Sequence, residues 1–467
     1  MRGVEGGYKV TDTLKINNTD FGNARRMALL HGQDLRYCHP WRKWLCYDGR
    51  KWAIDETGEV FRCGKDVVVS MYQEAAEVTS ETERQELIKH ALKSESESRI
   101  RAMISLAESE LPLTPGQLDG VNTEWFFNCL NGTLDLSKHE LKPFERDYYI
   151  TKVAPIDYNP NAKCPLWLSF LETIMDGNED LILYLQKAIG YSLTADISEQ
   201  KFFVFWGAGS NGKSTFLSTI SRMLGDYAIQ TPMNTLLVKN DNSGASNDIA
   251  RLRGARLICA SESDEGRRLS EALIKQLTGG DKVTARFMYG EFFEFTPTGK
   301  LIICTNHRPE IRGTDRAIWR RVKLVPFEVT ISEHEQDKQL PDKLLGELDG
   351  ILNWAIEGCK MWQRDGLGDP DEVKQAVNEY RDEMDVVGAF LEECCIFHPL
   401  SKVKSGALYN SYVSWCSNNA EKAISQKLFS ARLIERGIEK SDRTREGYFW
   451  QGLKLVDDSS LRCVTGY

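Results

Sequence analysis

Apolar and polar positions alternate along the chain in ways that divide it into stretches with different secondary structure. Phe202-Phe-Val-Phe-Trp206 is a continuous apolar run with the length of a strand buried on both faces. Arg256–Ala260, Leu301–Thr305 and Val322–Val325 repeat that pattern. Between them, apolar residues recur at helical spacing over Lys213–Leu224 (Phe216, Leu217, Ile220) and over Leu269–Leu277. Buried strands alternating with helices predict an α/β unit over residues 198–330, a three-layer sandwich with a mainly parallel sheet.

The flanks read differently. A helix is expected around Asn23–Gln33, then a β-hairpin of Trp41–Tyr47 and Arg50–Ile54 about Asp48-Gly49, with a third strand at Glu59–Arg62. The interleaved aromatic and basic residues of that hairpin suit either packing on the following helices or stacking on a single nucleic-acid strand. Residues 67–110 are helical in pattern with a break at Thr79–Glu83, and Leu111–Gly120 reads as a linker. Phe126–Phe144 holds a turn at Asn131-Gly132, and Trp167–Tyr191 two helices split at Asp176-Gly177-Asn178 and stopped by Gly190. Residues 335–395 are helical with a break at Arg364–Pro370. Ser405–Asn418 and Gln426–Arg436 read as helices, and Tyr448–Leu455 as a strand closing a hairpin after Gly447, a winged-helix-like order. The expected units are an α+β and helical N-terminal region (1–110), a helical and hairpin domain (111–197), the α/β core (198–330), a helical segment (331–395) and the winged-helix-like domain (396–467).

Composition narrows the class. With 41% hydrophobic and 27% charged residues over 467 positions, this is an ordinary globular chain with room for several cores. No run approaches the roughly 18 apolar residues of a membrane span, and MRGVEGGYKVTD lacks an apolar signal core. The twelve cysteines form no paired C-x-x-C pattern, so reduced thiols in the cytoplasm are expected. The net charge of −9 does not advertise nucleic-acid binding. Its distribution does: from Lys402 to Lys454 there are ten basic residues against five acidic ones.

The candidate chemistry gathers in the α/β unit. Gly207-Ala208-Gly209-Ser210-Asn211-Gly212-Lys213-Ser214 fits G-x-x-x-x-G-K-[ST], set between a strand and a helix. Such a loop, with Thr215 behind it, turns backbone N–H groups toward the phosphates of ATP. Lys213 would reach the β- and γ-phosphates, and Ser214 would ligate Mg²⁺. The run Arg256–Ser261 ends in Glu262, a carboxylate placed to organise Mg²⁺ and polarise water, with Asp264 and Glu265 either assisting or forming a solvated loop. The next buried run ends in Asn306, an amide able to hold a water in line or a plain turn residue. Arg316, Arg320 and Arg321 precede the last strand, and an arginine there could stabilise phosphoryl transfer in an adjacent subunit of a head-to-tail ring. Val283–Met288 and Phe292–Thr296 flank Tyr289-Gly290-Glu291 as an inserted hairpin, where Lys282, Arg286 and Tyr289 are types that grip a nucleic-acid strand. Lys427, Arg432, Arg443 and Arg445 are the DNA-contacting candidates of the C-terminal unit.

The pieces FWGAGSNGKSTF, ICASESDEG, LIKQLTGGDKVTAR, FTPTGKLIICTNHRP and IWRRVKLVPF resemble, in that order, the superfamily 3 helicases. More narrowly they resemble the helicase half of phage- and plasmid-type and poxvirus primase-helicases, most closely over residues 120–330. The resemblance implies an AAA+-like fold and a homo-oligomeric ring, a hexamer, that moves along one DNA strand and separates duplex DNA, as in replication of a phage or mobile element inside a bacterial cytoplasm. It implies that Lys213 and Ser214 hold ATP and Mg²⁺, Glu262 serves the metal, Asn306 senses the water, and Arg320 before Arg321 is the arginine finger. Two departures follow. The usual acidic pair at the second motif is Ser261-Glu262 here, and residues 1–66 show no Asp-x-Asp metal pair and no zinc motif, so a helicase without priming activity, or one served by a separately encoded primase, is expected. Two other readings remain open: a ring-forming, DNA-binding initiator or remodeller that unwinds little, and a solitary nucleotide switch.

Overall fold

The structure, a computed structural model, describes residues 16–120, 123–238, 247–261, 267–287, 291–311, 316–419, 421–442, 445 and 447–456. The N-terminal region comprises α1 (Asp20–His31), β1 (Leu35–Cys38), β2 (Lys43–Tyr47), β3 (Trp52–Ile54), α2 (Glu59–Glu77), α3 (Glu81–Ser94), α4 (Glu97–Ala107) and β4 (Pro112–Leu113). Its sheet runs β3-β2-β1-β4, with β2 and β3 forming the expected hairpin. The expected strand at Glu59–Arg62 is instead the first turn of α2. Gly58 enters that helix at φ 77°, and the Asp55 carboxylate accepts from the N–H groups of Glu59 and Val60 at 2.8 and 3.0 Å. A side chain that satisfies the orphan donors of a helix start outweighs the strand propensity of a short Val-Phe pair. Trp44 and Trp52 are buried, Trp44 against Tyr37 and Trp52 between Tyr47 and Tyr149, so these aromatics pack rather than face solvent.

A three-stranded meander, β5 (Phe126–Cys129), β6 (Gly132–Asp135) and β7 (Glu140–Lys142), follows, and then α5 (Pro165–Ile174) and α6 (Glu179–Ser192). The split at 176–178 is as expected, with Asn178 capping α6 through its side chain. Gly190 does not stop α6, which continues to Ser192. A Cβ on Gly190 would lie 2.0 Å from the Cys359 nitrogen, so the glycine is there to let another helix approach.

The α/β unit runs β8 (Phe202–Trp206), α7 (Lys213–Leu224), β9 (Ala228–Pro232), α8 (Asn247–Arg251), β10 (Leu257–Ser261), α9 (Glu271–Gly279), β11 (Val283–Ala285), β12 (Phe293–Phe295), β13 (Lys300–Thr305), α10 (Arg316–Trp319) and β14 (Val322–Pro326). Its sheet is five-stranded in the order β14-β8-β13-β10-β9, and every pair is parallel. Strand alternation sends side chains to opposite faces. Phe203, Phe205, Cys259, Ile302 and Val325 join one core, and Phe202, Val204, Ile258, Ile303 and Leu324 another. Helices α5, α6 and α7 contribute to the first core and α9 to the second, so both faces are covered. Strand β9 was not anticipated, because AIQTP carries two polar residues and a proline and lies at the sheet edge. The inserted hairpin is present but short: β11 and β12 pair over three residues each, and Met288, Tyr289 and Gly290 lie outside the described residues.

Helices α11 (Leu340–Leu345), α12 (Leu348–Asp365) and α13 (Asp371–Glu383) come next, and α12 closes on α6 and the first core. The C-terminal core is built from α14 (Val386–Cys394), β15 (Cys395–Lys404), α15 (Ser405–Asn418), α16 (Gln426–Glu435) and β16 (Phe449–Leu455). Strand β16 pairs with β15, ahead of the two helices, and also bridges back to Lys440 across the turn at Gly447.

Candidate nucleotide site

Parallel register places the carboxyl ends of β8, β13 and β10 on one edge of the sheet, since Thr305 pairs with Trp206 and Ser261 with Cys304. Ligands of open parallel sheets bind at that edge. Here the chain leaves β8 into the loop 207–212 and enters α7 at Lys213. Two glycines of the loop are required by space. A Cβ on Gly207 would meet the Phe327 carbonyl oxygen at 2.1 Å, and Gly212 combines φ 82° with an Ile174 methyl 2.4 Å from where its Cβ would be. The loop is tied to the segment after β14: Asn211 Nδ2 donates to the Phe327 carbonyl at 2.9 Å, and the Ile331 N–H to the Ser210 carbonyl at 2.8 Å.

Lys213 is buried, and its Nζ donates to the Gly207 carbonyl at 2.7 Å and to Asn211 Oδ1 at 2.9 Å. Burial lowers its pKa from the ordinary lysine value, because the ammonium has exchanged water for neutral oxygens. Nearby, burial pushes the Cys304 thiol up to about 11, which keeps it protonated. Gly209, Ser210, Asn211, Gly212, Lys213, Ser214, Thr215 and Asn306 line one cavity of about 1020 Å³. The structure thus brings Asn306 to the loop, as the sequence order suggested. Gly207 and Ala208 form the entry to the loop rather than the cavity wall.

The far wall comes from residues the sequence did not single out: Ser169, Phe170 and Thr173 of α5, and the segment after β14 including Ile331, Gln336, Lys338 and Leu340. A cation such as Lys338 on a segment following the last strand was the available signal. Ser214 lines the same cavity beside Lys213. Ser261 ends β10 at the same edge; Glu262, Asp264 and Glu265 lie outside the described residues.

The arginines sit elsewhere. Val322 pairs with Phe202, so the turn before β14 lies at the amino end of the sheet, roughly 15 Å of strand away from the loop. Arg320 is exposed there, its guanidinium donating to Gln200 Oε1 at 3.1 Å. Arg321 is 7% exposed and donates to Thr278 Oγ1 at 3.2 Å and the Ala317 carbonyl at 2.6 Å, holding α9 to this turn. Of that pair, Arg320 is the exposed one. The side chain of Arg316 lies outside the described residues.

The nucleic-acid candidates are dispersed. Lys282 faces Glu294 at 3.8 Å, and the Arg286 guanidinium lies 5.0 Å from the Phe292 ring centroid. Trp41 of the N-terminal region packs edge-on to Phe287 and Phe293 and so holds the root of this hairpin. Lys427 joins Lys404, Lys440 and Tyr448 around a hollow of about 470 Å³. Arg432 does not join them: it pairs with Glu435 at 2.9 Å and lines a different hollow, with Asn306 and Arg308. Arg445 is exposed, while Arg443 and Tyr289 lie outside the described residues.

Three family models match successive stretches of the chain: one described as D5 N terminal like over residues 24–176, a family of unknown function over 205–321, and one described as Poxvirus D5 protein-like over 382–450. A "Putative helicase" of Acanthamoeba polyphaga mimivirus is 27% identical over 260 residues, 50% of this chain and 27% of that protein. A "Putative helicase" of Frog virus 3 is 29% identical over 243 residues, 47% of this chain and 25% of that protein. A "Putative primase" of African swine fever virus is 26% identical over 179 residues, 37% of this chain and 18% of that protein. The matched stretch therefore spans about a quarter of the length of the helicase-named relatives. Among solved structures, the apo C-terminal region of NrS-1 shares the fold with a TM-score of 0.54 at 8% identity, over 92% of this chain and 100% of that one. None of the described helices is long and apolar enough to cross a membrane.

Proposed function

Starting from this chain's kinship with the D5-type primase-helicases, we propose that it is an ATP-driven DNA helicase of a replication system, working as a hexameric ring on one strand of a duplex. One observation carries the reading: Lys213 and Asn306 line one cavity, while the exposed Arg320 lies at the opposite end of the sheet. That arginine cannot serve its own site, but in a head-to-tail ring the amino edge of one sheet faces the carboxyl edge of the next. Such a ring would complete each site with a neighbour's charge, as phosphoryl transfer requires.

ATP would occupy the cavity with its phosphates against the 207–212 loop. Lys213 would turn from its two oxygens to the phosphates, and Ser214 with Glu262 would hold Mg²⁺, which supplies charge neutralisation on the phosphoryl oxygens. Asn306 would orient the attacking water, and Arg320 of the next subunit would stabilise the charge that develops. The short hairpin with Lys282, Arg286 and Tyr289 would follow the nucleotide state and draw a strand through the ring. The winged-helix-like C-terminal unit would anchor duplex DNA by phosphate contacts around Lys404, Lys427 and Lys440.

The basic hollow also favours a second reading, a DNA-binding initiator or remodeller whose ATP use controls assembly. Lys213→Ala separates the two: a helicase loses unwinding and hydrolysis together, whereas an initiator keeps duplex binding as its working activity. The primary test is steady-state ATP hydrolysis across protein concentration, with and without single-stranded DNA. A rate per subunit that rises with concentration and is stimulated by DNA is expected. A rate flat in both would remove the helicase and leave a nucleotide switch.

A further inference from the structure

The loop that carries Asn306 also carries Arg308, which no motif singles out. Arg308 leans on Trp206, the last residue before the phosphate loop, with its guanidinium 4.3 Å from the ring centroid. It pairs with Glu383 at 2.6 Å and lies 4.0 Å from Glu379, both on α13. The Tyr380 hydroxyl donates to the carbonyl of Pro309, one residue further on. Helix α13 also touches the arginine-bearing turn and the strand after it: Lys323 pairs with Asp369, just before the helix, at 2.6 Å, and the same Tyr380 ring meets Trp319, the neighbour of Arg320, edge-on at 5.3 Å. The side chains of Arg308 and Lys323 are 14% and 9% exposed, so packing holds the two cations in place, while their carboxylate partners stay about half exposed.

We propose that Arg308 is a positioning residue that, through its contacts to α13, holds Arg320 where it serves the next site. The inference rests on the shared-site ring proposed above. Arg308 would fix Glu383 and Glu379, and α13 would in turn fix Lys323 and Trp319, and so Arg320.

The test uses full-length chains mixed into wild-type rings. Lys213→Ala subunits have no working site of their own but keep Arg320, so they set the baseline. Lys213→Ala/Arg320→Ala subunits should lower the DNA-stimulated rate below that baseline, by about twofold at equal mixing, because each silences the neighbour it serves. Lys213→Ala/Arg308→Gln subunits should match that extra loss, although their own site is already dead. Replacing Arg308→Gln by the swap Arg308→Glu/Glu383→Arg should restore the baseline, which shows that the pair matters and not the fold around it. If the Arg320 double variant poisons neighbours and the Arg308 double variant does not, the role of Arg308 is overturned and the shared-site ring stands. If neither poisons neighbours, the shared-site ring falls and takes that role with it.

Discussion

Lys213 donates to two neutral oxygens, Gly207 O and Asn211 Oδ1, and both lie in the loop that would cradle a phosphate. Replacing it by Ala removes the ammonium and leaves these oxygens their loop geometry, so hydrolysis should fall by a factor on the order of 10² or more while the melting temperature changes little. Fluorescent-nucleotide binding with single-turnover kinetics measures both. Lys300 offers a different test, because its charge does no work at the site. It is fully enclosed, donates to the Thr194 carbonyl at 2.6 Å, and lies 4.3 Å from the Tyr191 ring centroid. Burial, with Arg256 nearby, holds its pKa well below the usual lysine value. The folded chain then binds its proton less tightly than the unfolded chain does, so this group's contribution to stability rises with pH between the lowered pKa and the ordinary one. Lys300→Met should be most stabilising, or least destabilising, at neutral pH, and its advantage over wild type should shrink as pH approaches 10. Urea unfolding of both chains from pH 7 to 10 reads that difference directly; a constant difference would mean that Lys300 keeps its proton on folding. Lys213 and Asn306 were legible because a motif and a strand end specify them. Arg321 was not: RR before a strand does not say which arginine turns in to bond Thr278.

At the scale of elements, the buried strands of the α/β unit were legible because an unbroken apolar run has few other uses. Elements set by tertiary contact were not. Helix α2 begins where a strand was expected because Asp55 caps it, and α6 passes Gly190 because α12 crosses there. That crossing is reciprocal: a Cβ on Gly358 would lie 2.0 Å from the Gln186 carbonyl oxygen. Gly358→Ala should therefore destabilise the chain by about 1–3 kcal/mol as α6 and α12 are forced apart. Gly406, inside α15, meets nothing within 4 Å, so Gly406→Ala should be neutral or stabilising by up to about 1 kcal/mol. Opposite signs in thermal or chemical unfolding are expected from the same added methyl group. Strand β15 was hidden by Pro399 and His398 in a stretch without alternation, and its pairing with β16 shows a register shift between Phe397 and Lys402. The C-terminal unit could be read only as helices before a hairpin.

At the scale of the molecule, the net charge of −9 conceals how the cations are placed: Lys404, Lys427 and Lys440 share a hollow on the C-terminal unit, while Arg320 is exposed at the amino end of the sheet. Topology decides what that arginine can do. Five parallel strands fix the phosphate loop and Asn306 at one edge and Arg320 at the other, so neither side chain can reach across within one chain. In the proposed ring, complementation follows from this geometry. Lys213→Ala leaves a subunit with a dead site and a working arginine, and Arg320→Ala leaves a working site and no arginine. Each variant alone should be inactive as an ATPase. Mixed in equal amounts and allowed to assemble together, they should regain about a quarter of the wild-type rate, because one site in four then pairs an intact Lys213 with an intact neighbouring Arg320. The recovered activity should depend on the mixing ratio with a maximum at equality and should vanish if the two populations are assembled separately before mixing. Recovery to none at every ratio would place Arg320 outside the neighbouring site, and a chain that hydrolyses ATP normally with Arg320→Ala would mean that each site is complete within one subunit.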